Sequence, residues 1–209
     1  MLRMKKYRFK KLTEDKGSWW IQKSRDYRLR CFRLYSGIFA TITCYLKGIK
    51  KGNACEFYGL PYFQRYPHST ISMGDGCQFR SDQSSNLIGV NHKTIISTHR
   101  PGAKIEIGNN CGFSGTSIGA AREIIIGNNV LCGANVVITD FDWHENISKT
   151  GPEPVIIHDN VWLGLNCVVL KGVEIGENSI IGANSLVVKS IPANVIAGGN
   201  PCKVLREKE

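Results

Sequence analysis

The chain lacks the marks of several protein classes. No two of its eight cysteines, at 31, 44, 55, 77, 111, 132, 167 and 202, stand at Cys-x-x-Cys spacing. A zinc knuckle and a thioredoxin-like motif are therefore excluded. The apolar stretch from Leu34 to Leu46 is too short and too interrupted to span a bilayer, which takes about 20 apolar residues. Only 7 prolines stand against 22 glycines in 209 residues, a balance that speaks against disorder and for many tight backbone corners. The first fifty residues are basic throughout and offer no small-residue cleavage site, so no secretory signal is expected. Single thiols serving as small apolar core residues suit a reducing, cytoplasmic setting.

Charge is distributed unevenly. Residues 1–52 hold 15 Lys/Arg against 3 Asp/Glu, whereas the remainder holds 12 against 14. A basic chain raises the question of nucleic acid, but here the charge belongs to one segment and no recognition motif accompanies it. Residues 1–52 are read as a basic arm with one or two helices, rich in aromatics such as Trp19, Trp20 and Phe32. Such an arm suits the anionic inner surface of a membrane as a peripheral contact. A solvated helical face packed on the rest of the chain is the competing reading.

After Gly52 the composition turns to Gly, Asn, Ile and Val, and a repeat emerges. Apolar residues recur every six positions at Ile157, Leu163, Val169, Ile175, Ile181 and Val187. A companion series runs two residues earlier through Val155, Val161, Cys167, Val173, Ser179, Ser185 and Ile191. Residues two apart in a strand share a face, so each unit offers two inward side chains and then turns. Gly-x-Asn marks the turns at Gly108, Gly127, Gly133, Gly164, Gly176 and Gly182. Both residue types tolerate the positive φ of a tight corner. Ile105, Ile107, Cys111 and Phe113 form an earlier run, and Ile126, Val130, Cys132, Val136 and Ile138 another. The 19-residue step from Ile107 to Ile126 implies an insertion at one corner. Met73 to Phe79 reads as a first, degenerate coil. The expected fold is mainly β: a parallel β-helix over residues 53–209, stabilised by stacking of neighbouring coils, with a tail from 190.

These repeats resemble the hexapeptide-repeat acyltransferases, and within them the galactoside and maltose acetyltransferases and the O-acetyltransferases of bacterial surface polysaccharides. The resemblance covers roughly residues 70–206. It is carried by Asn160-Val161-Trp162-Leu163-Gly164, by Val188 to Asn194, and by Gly199-Asn200-Pro201-Cys202-Lys203-Val204-Leu205-Arg206. It implies a left-handed coil, an exception to the right-handed crossover rule. It also implies acetyl-CoA as co-substrate, a hydroxyl of a sugar or surface glycan as acceptor, and a homotrimer.

Residues 139–154 interrupt the repeats with a polar loop, and the resemblance assigns its histidine, His144, the catalytic role. The chemistry asks for such a group, because a sugar hydroxyl is a poor nucleophile until a neutral imidazole takes its proton. If the backbone is extended there, Asp140, Asp142 and His144 share a face, and one carboxylate could orient the ring. Asp-x-Asp could instead hold a divalent cation, but a thioester reaction needs none and no metal is expected. Trp162 lies between inward positions and must point outward, where an indole wants a ligand or a neighbouring subunit. By resemblance Trp162, Gly164, Ala183, Val188, Lys189, Lys203 and Arg206 form the coenzyme A site, the cations answering its phosphates. Ser114 falls where galactoside acetyltransferases carry an acceptor-contacting Asn, and Arg122 where they carry an acidic residue, so the acceptor is left open. His158 reads as a surface residue, and His68, His92 and His99 as structural or surface ones.

Three other functions compete with this reading. A γ-type carbonic anhydrase needs three histidines from adjacent coils around zinc, and the well-phased coils supply only His144 and His158. A nucleotide-sugar N-acetyltransferase would use an amino group at a similar site. A non-enzymatic hexapeptide scaffold would need neither the loop histidine nor the basic C-terminal motif.

Overall fold

The computed structural model describes residues 16–144 and 150–208. One helix, Lys16–Leu46, leads into a three-faced prism of parallel strands. Face one stacks Lys50–Lys51, Thr70–Met73, Lys104–Ile107, Glu123–Ile126, Val155–Ile157 and Glu174–Ile175. Face two runs from Glu56–Tyr58 through Gln78–Arg80, Gly112–Ser114, Leu131–Ala134, Trp162–Leu163 and Ile180–Ile181 to Val195–Gly198. Face three holds Tyr62–Gln64, Ile95–Thr98, Ser117–Ala120, Val137–Thr139, Val168–Val169 and Leu186–Val187. The coil is the left-handed β-helix of hexapeptide repeats, mainly β as the repeat demands.

The hexads set the core. Val155, Ile157, Val161, Leu163, Cys167, Val169, Val173, Ile175, Ile181 and Val187 are all buried. Leu163 pairs with Ile181 one coil on, an advance of three hexads. Ile107 pairs with Ile126, the 19-residue step that the sequence implied.

The corners divide their labour more sharply than the sequence suggested. Asn110, Asn129, Asn135, Asn166, Asn178 and Asn184 take the positive φ, between 54° and 60°. Their side chains form ladders along the prism, with Asn129, Asn160, Asn178 and Asn194 linked at 2.9–3.1 Å. The glycines two residues earlier have ordinary φ and serve a different purpose, because at all of them except Gly182 the next coil crosses directly over. A Cβ on Gly176 would lie 2.3 Å from the Ala193 nitrogen, and one on Gly164 2.5 Å from that of Ala183.

The prism begins earlier than the repeat indicated. Lys50–Lys51 already pairs with Ser72–Met73, so a boundary at residue 52 falls inside the first coil. Aromatics fill this end. Phe57, Phe79 and Phe113 stack on face two at centroid spacings of 5.0 and 5.2 Å. The helix lies across the same end, with Ser36, Ala40 and Cys44 buried and Ala40 and Cys44 joined to the core. Arg33 pairs with Glu56 at 2.5 Å and Lys47 donates to the Phe63 carbonyl at 2.6 Å. Residues 1–15 of the basic arm lie outside the described residues.

Candidate functional site

The polar loop leaves face three after Thr139 and returns to face one at Val155. Its residues 145–149 lie outside the described ones. Asp140 is fully buried, and its carboxylate accepts hydrogen bonds from three backbone amides: Ala121 at 2.6 Å, Arg122 at 2.8 Å and Glu123 at 2.6 Å. Those amides are the corner of the preceding coil, so Asp140 ties the root of the loop to the prism. Thr139 Oγ1 donates to the Phe141 carbonyl at 3.0 Å. Phe141 is buried, and its ring lies 5.1 Å from His99.

Asp142 turns the other way. Its carboxylate takes the Lys171 ammonium, which also donates to Thr150 Oγ1 at 2.7 Å. One lysine from the following coil thus clamps both arms of the loop. Trp143 folds back over face three, edge-on to His99 at 4.8 Å and 4.8 Å from Phe141. Gly119 gives the indole its place, since a Cβ there would stand 2.8 Å from Trp143 Cζ2. His144 follows, exposed to solvent. The extended arrangement with Asp140, Asp142 and His144 on one face does not form. The chain bends immediately after Thr139 because the amides of residues 121–123 draw Asp140 inward, and neither Asp140 nor Asp142 is hydrogen-bonded to His144 among the described residues.

His99, read from sequence only as structural or surface, lies under this loop. Its Nε2 is 2.8 Å from Ser97 Oγ. Burial between the aromatic rings lowers its pKa, and the nearby Asp140 charge offsets this in part. Nothing in the sequence pointed to this contact, which depends on a corner insertion placing residue 99 under residue 143. His158 is exposed and bonded to Glu174 at 2.6 Å, as a surface histidine.

The remaining residues fall on different parts of the prism. Trp162 is 51% exposed on the outside of face two, between buried Val161 and Leu163. Lys203 and Arg206 are exposed on Lys203–Glu207, the strand that closes face two antiparallel to Val195–Gly198. Gly164 and exposed Ala183 occupy the corner between faces two and three. Val188 and Lys189, both exposed, sit instead on the corner between faces three and one, the corner from which the His144 loop leaves. Ser114 is buried at the corner between faces two and three, where its Oγ accepts from Asn86 Nδ2 at 3.1 Å. The set is therefore split across the width of face three. Among the described residues no group of three or more His, Cys, Asp or Glu is placed to hold a metal ion.

Comparison with known proteins agrees with the repeat and the fold. Residues 154–189 match the family of bacterial transferase hexapeptide repeats (six repeats). A galactoside O-acetyltransferase of Escherichia coli is 42% identical over 113 residues, which are 51% of this chain and 55% of that protein. One from Lactococcus lactis is 48% identical over 91 residues, 41% of this chain and 44% of that one. The chain thus spans about half the length of these curated relatives. In fold it matches a variant of AntD, an N-acyltransferase from Bacillus cereus solved with dTDP and coenzyme A. The TM-score is 0.59 with 16% identity, over 81% of this chain and 89% of that one. The chain carries hexapeptide repeats and is similar to acetyltransferases built from them.

Proposed function

We propose that the protein transfers an acetyl group from acetyl-CoA to a hydroxyl of a sugar or bacterial surface glycan, with His144 as general base. The observation that carries this reading is the loop itself. It is pinned at its root by Asp140 and across its arms by Lys171, and it holds an exposed imidazole out from a rigid prism. Neutral His144 takes the hydroxyl proton as the acceptor oxygen attacks the thioester carbonyl. The tetrahedral intermediate then collapses, the C–S bond breaks, and the proton passes from the imidazolium to the departing thiolate. Asp140 and Asp142 act by positioning the loop.

On the donor side, exposed Trp162 offers a flat surface for the coenzyme, Lys203 and Arg206 face its phosphates, and the corner at Gly164 and Ala183 gives close backbone approach. Val188 and Lys189 stand with His144 on the other corner. A site uniting both groups takes a second copy, its donor corner against the loop corner of the first. A homotrimer closes this arrangement with three equal sites. Ser114, held by Asn86, would line the acceptor side.

Incubation with labelled acetyl-CoA and a panel of sugars, amino sugars and short glycans tests the reading. Ester-linked label on a hydroxyl acceptor is expected, and His144→Ala should reduce kcat by roughly 10²–10⁴-fold with donor affinity retained. Label only on amino sugars would move the assignment to N-acetylation. A His144→Ala rate close to wild type would place the base elsewhere.

A further inference from the structure

The helix buries one side and leaves the other apolar. Ser36, Ala40 and Cys44, spaced by four, face the prism and are buried. On the opposite side Leu34, Ile38, Ile42 and Tyr45 are 65%, 61%, 49% and 84% exposed, and Tyr35, Phe39 and Leu46 widen the strip. No charged residue occurs from Leu34 to Leu46. A contiguous apolar strip of this kind marks an interaction surface. Cations bracket it. Lys23, Arg28 and Arg30 are exposed on the same helix, where Asp26 is the one acid between residues 16 and 46, and Lys50 is exposed just beyond it. Arg33 and Lys47 are engaged within the fold.

We propose that this face docks on an anionic bilayer surface, with the strip in the headgroup boundary and the flanking cations on acidic lipid. Charge complementarity selects this occupant. Apolar residues bordered by Lys and Arg, with Trp19, Trp20, Tyr27, Tyr35 and Tyr45 along the helix, are the composition of an interfacial segment. The helix is not long and apolar enough to cross a membrane, which leaves it lying in the surface. Leu34, Ile38 and Ile42 also line an open cleft against Ala54, Cys55 and Glu56 of the first coil, so the strip borders the body of the prism while staying exposed. In a cyclic assembly of parallel prisms every copy presents its strip at the same end, and weak contacts add. The inference does not depend on acyl transfer.

Flotation of the full chain with phosphatidylcholine vesicles, with and without phosphatidylglycerol, is the test. The protein should float with the anionic vesicles, less so at high salt. Ile38→Glu combined with Ile42→Glu should weaken this by about tenfold or more, with sedimentation and acetyl transfer unchanged. Arg28→Glu with Arg30→Glu should weaken it separately through the electrostatic component. No flotation of the wild type, or flotation of either double variant equal to that of the wild type, overturns the proposal. A changed oligomeric state in the isoleucine variant also overturns it, because the strip would then be covered by a second copy.

Discussion

Asp140 shows how far a residue's surroundings can revise its role. Its place two residues before Asp142 and four before His144 suggested a catalytic carboxylate, yet three amides from residues 121–123 hold it in the prism. Sequence spacing cannot reveal partners that lie 17 to 19 positions upstream and meet it only through the coil. Asp140→Ala leaves those donors unpaired in a buried corner and should cost about 2–4 kcal/mol of unfolding free energy. Urea denaturation measures this, and a loss near zero would return Asp140 to the list of catalytic candidates. His99 supplies a second test. Burial lowers its pKa below the ordinary 6.5, so the unfolded chain binds more protons between the two values. Stability is then full above 6.5 and declines as pH falls below it. Replacing it in His99→Phe should flatten that part of the pH–stability curve; an unchanged slope would mean another group titrates there.

Among the elements, what the sequence revealed depended on how the core is filled. The late coils were legible because Ile, Val and Leu repeat at six-residue spacing and neighbouring strands are two residues of the same pattern. The first coils were legible only in part: Phe79 and Phe113 read as early coil positions, whereas Phe57 and Phe63 did not, because steps of 22 to 34 residues, set by long corner insertions, separate these inward positions from their partners. The helix was legible as a segment, while its function as an end cap rests on Ala40 and Cys44 meeting the first coil. The corner motif was legible in kind, but two separate pressures lie behind it. Asn is there for its φ and its ladder, and Gly for the coil that crosses above it. The difference is measurable. Gly176→Ala drives a Cβ into the Ala193 backbone and should cost about 1–3 kcal/mol. Gly182→Ala, whose nearest contact would be 3.6 Å away, should unfold at a temperature close to wild type. Equal losses in the pair would refute the crossing-coil explanation.

At the scale of the whole molecule, the proposed site would divide one prism into two half-sites. The loop corner carries His144, Val188 and Lys189, while Trp162, Gly164, Ala183, Lys203 and Arg206 lie on face two and its far corner. Assembly would join them, and a site shared in this way has a consequence that no single-chain site has. Two variants, each inactive alone, can restore one another. His144→Ala removes the base, and Ala183→Trp places a bulky side chain on the exposed donor corner. Acetyl transfer by co-expressed mixtures of the two is the measurement to make, with each variant first confirmed as a folded trimer. Random mixing should restore up to about a quarter of the wild-type sites. Activity no higher in mixed trimers than in either variant alone would contradict a catalytic site built between copies.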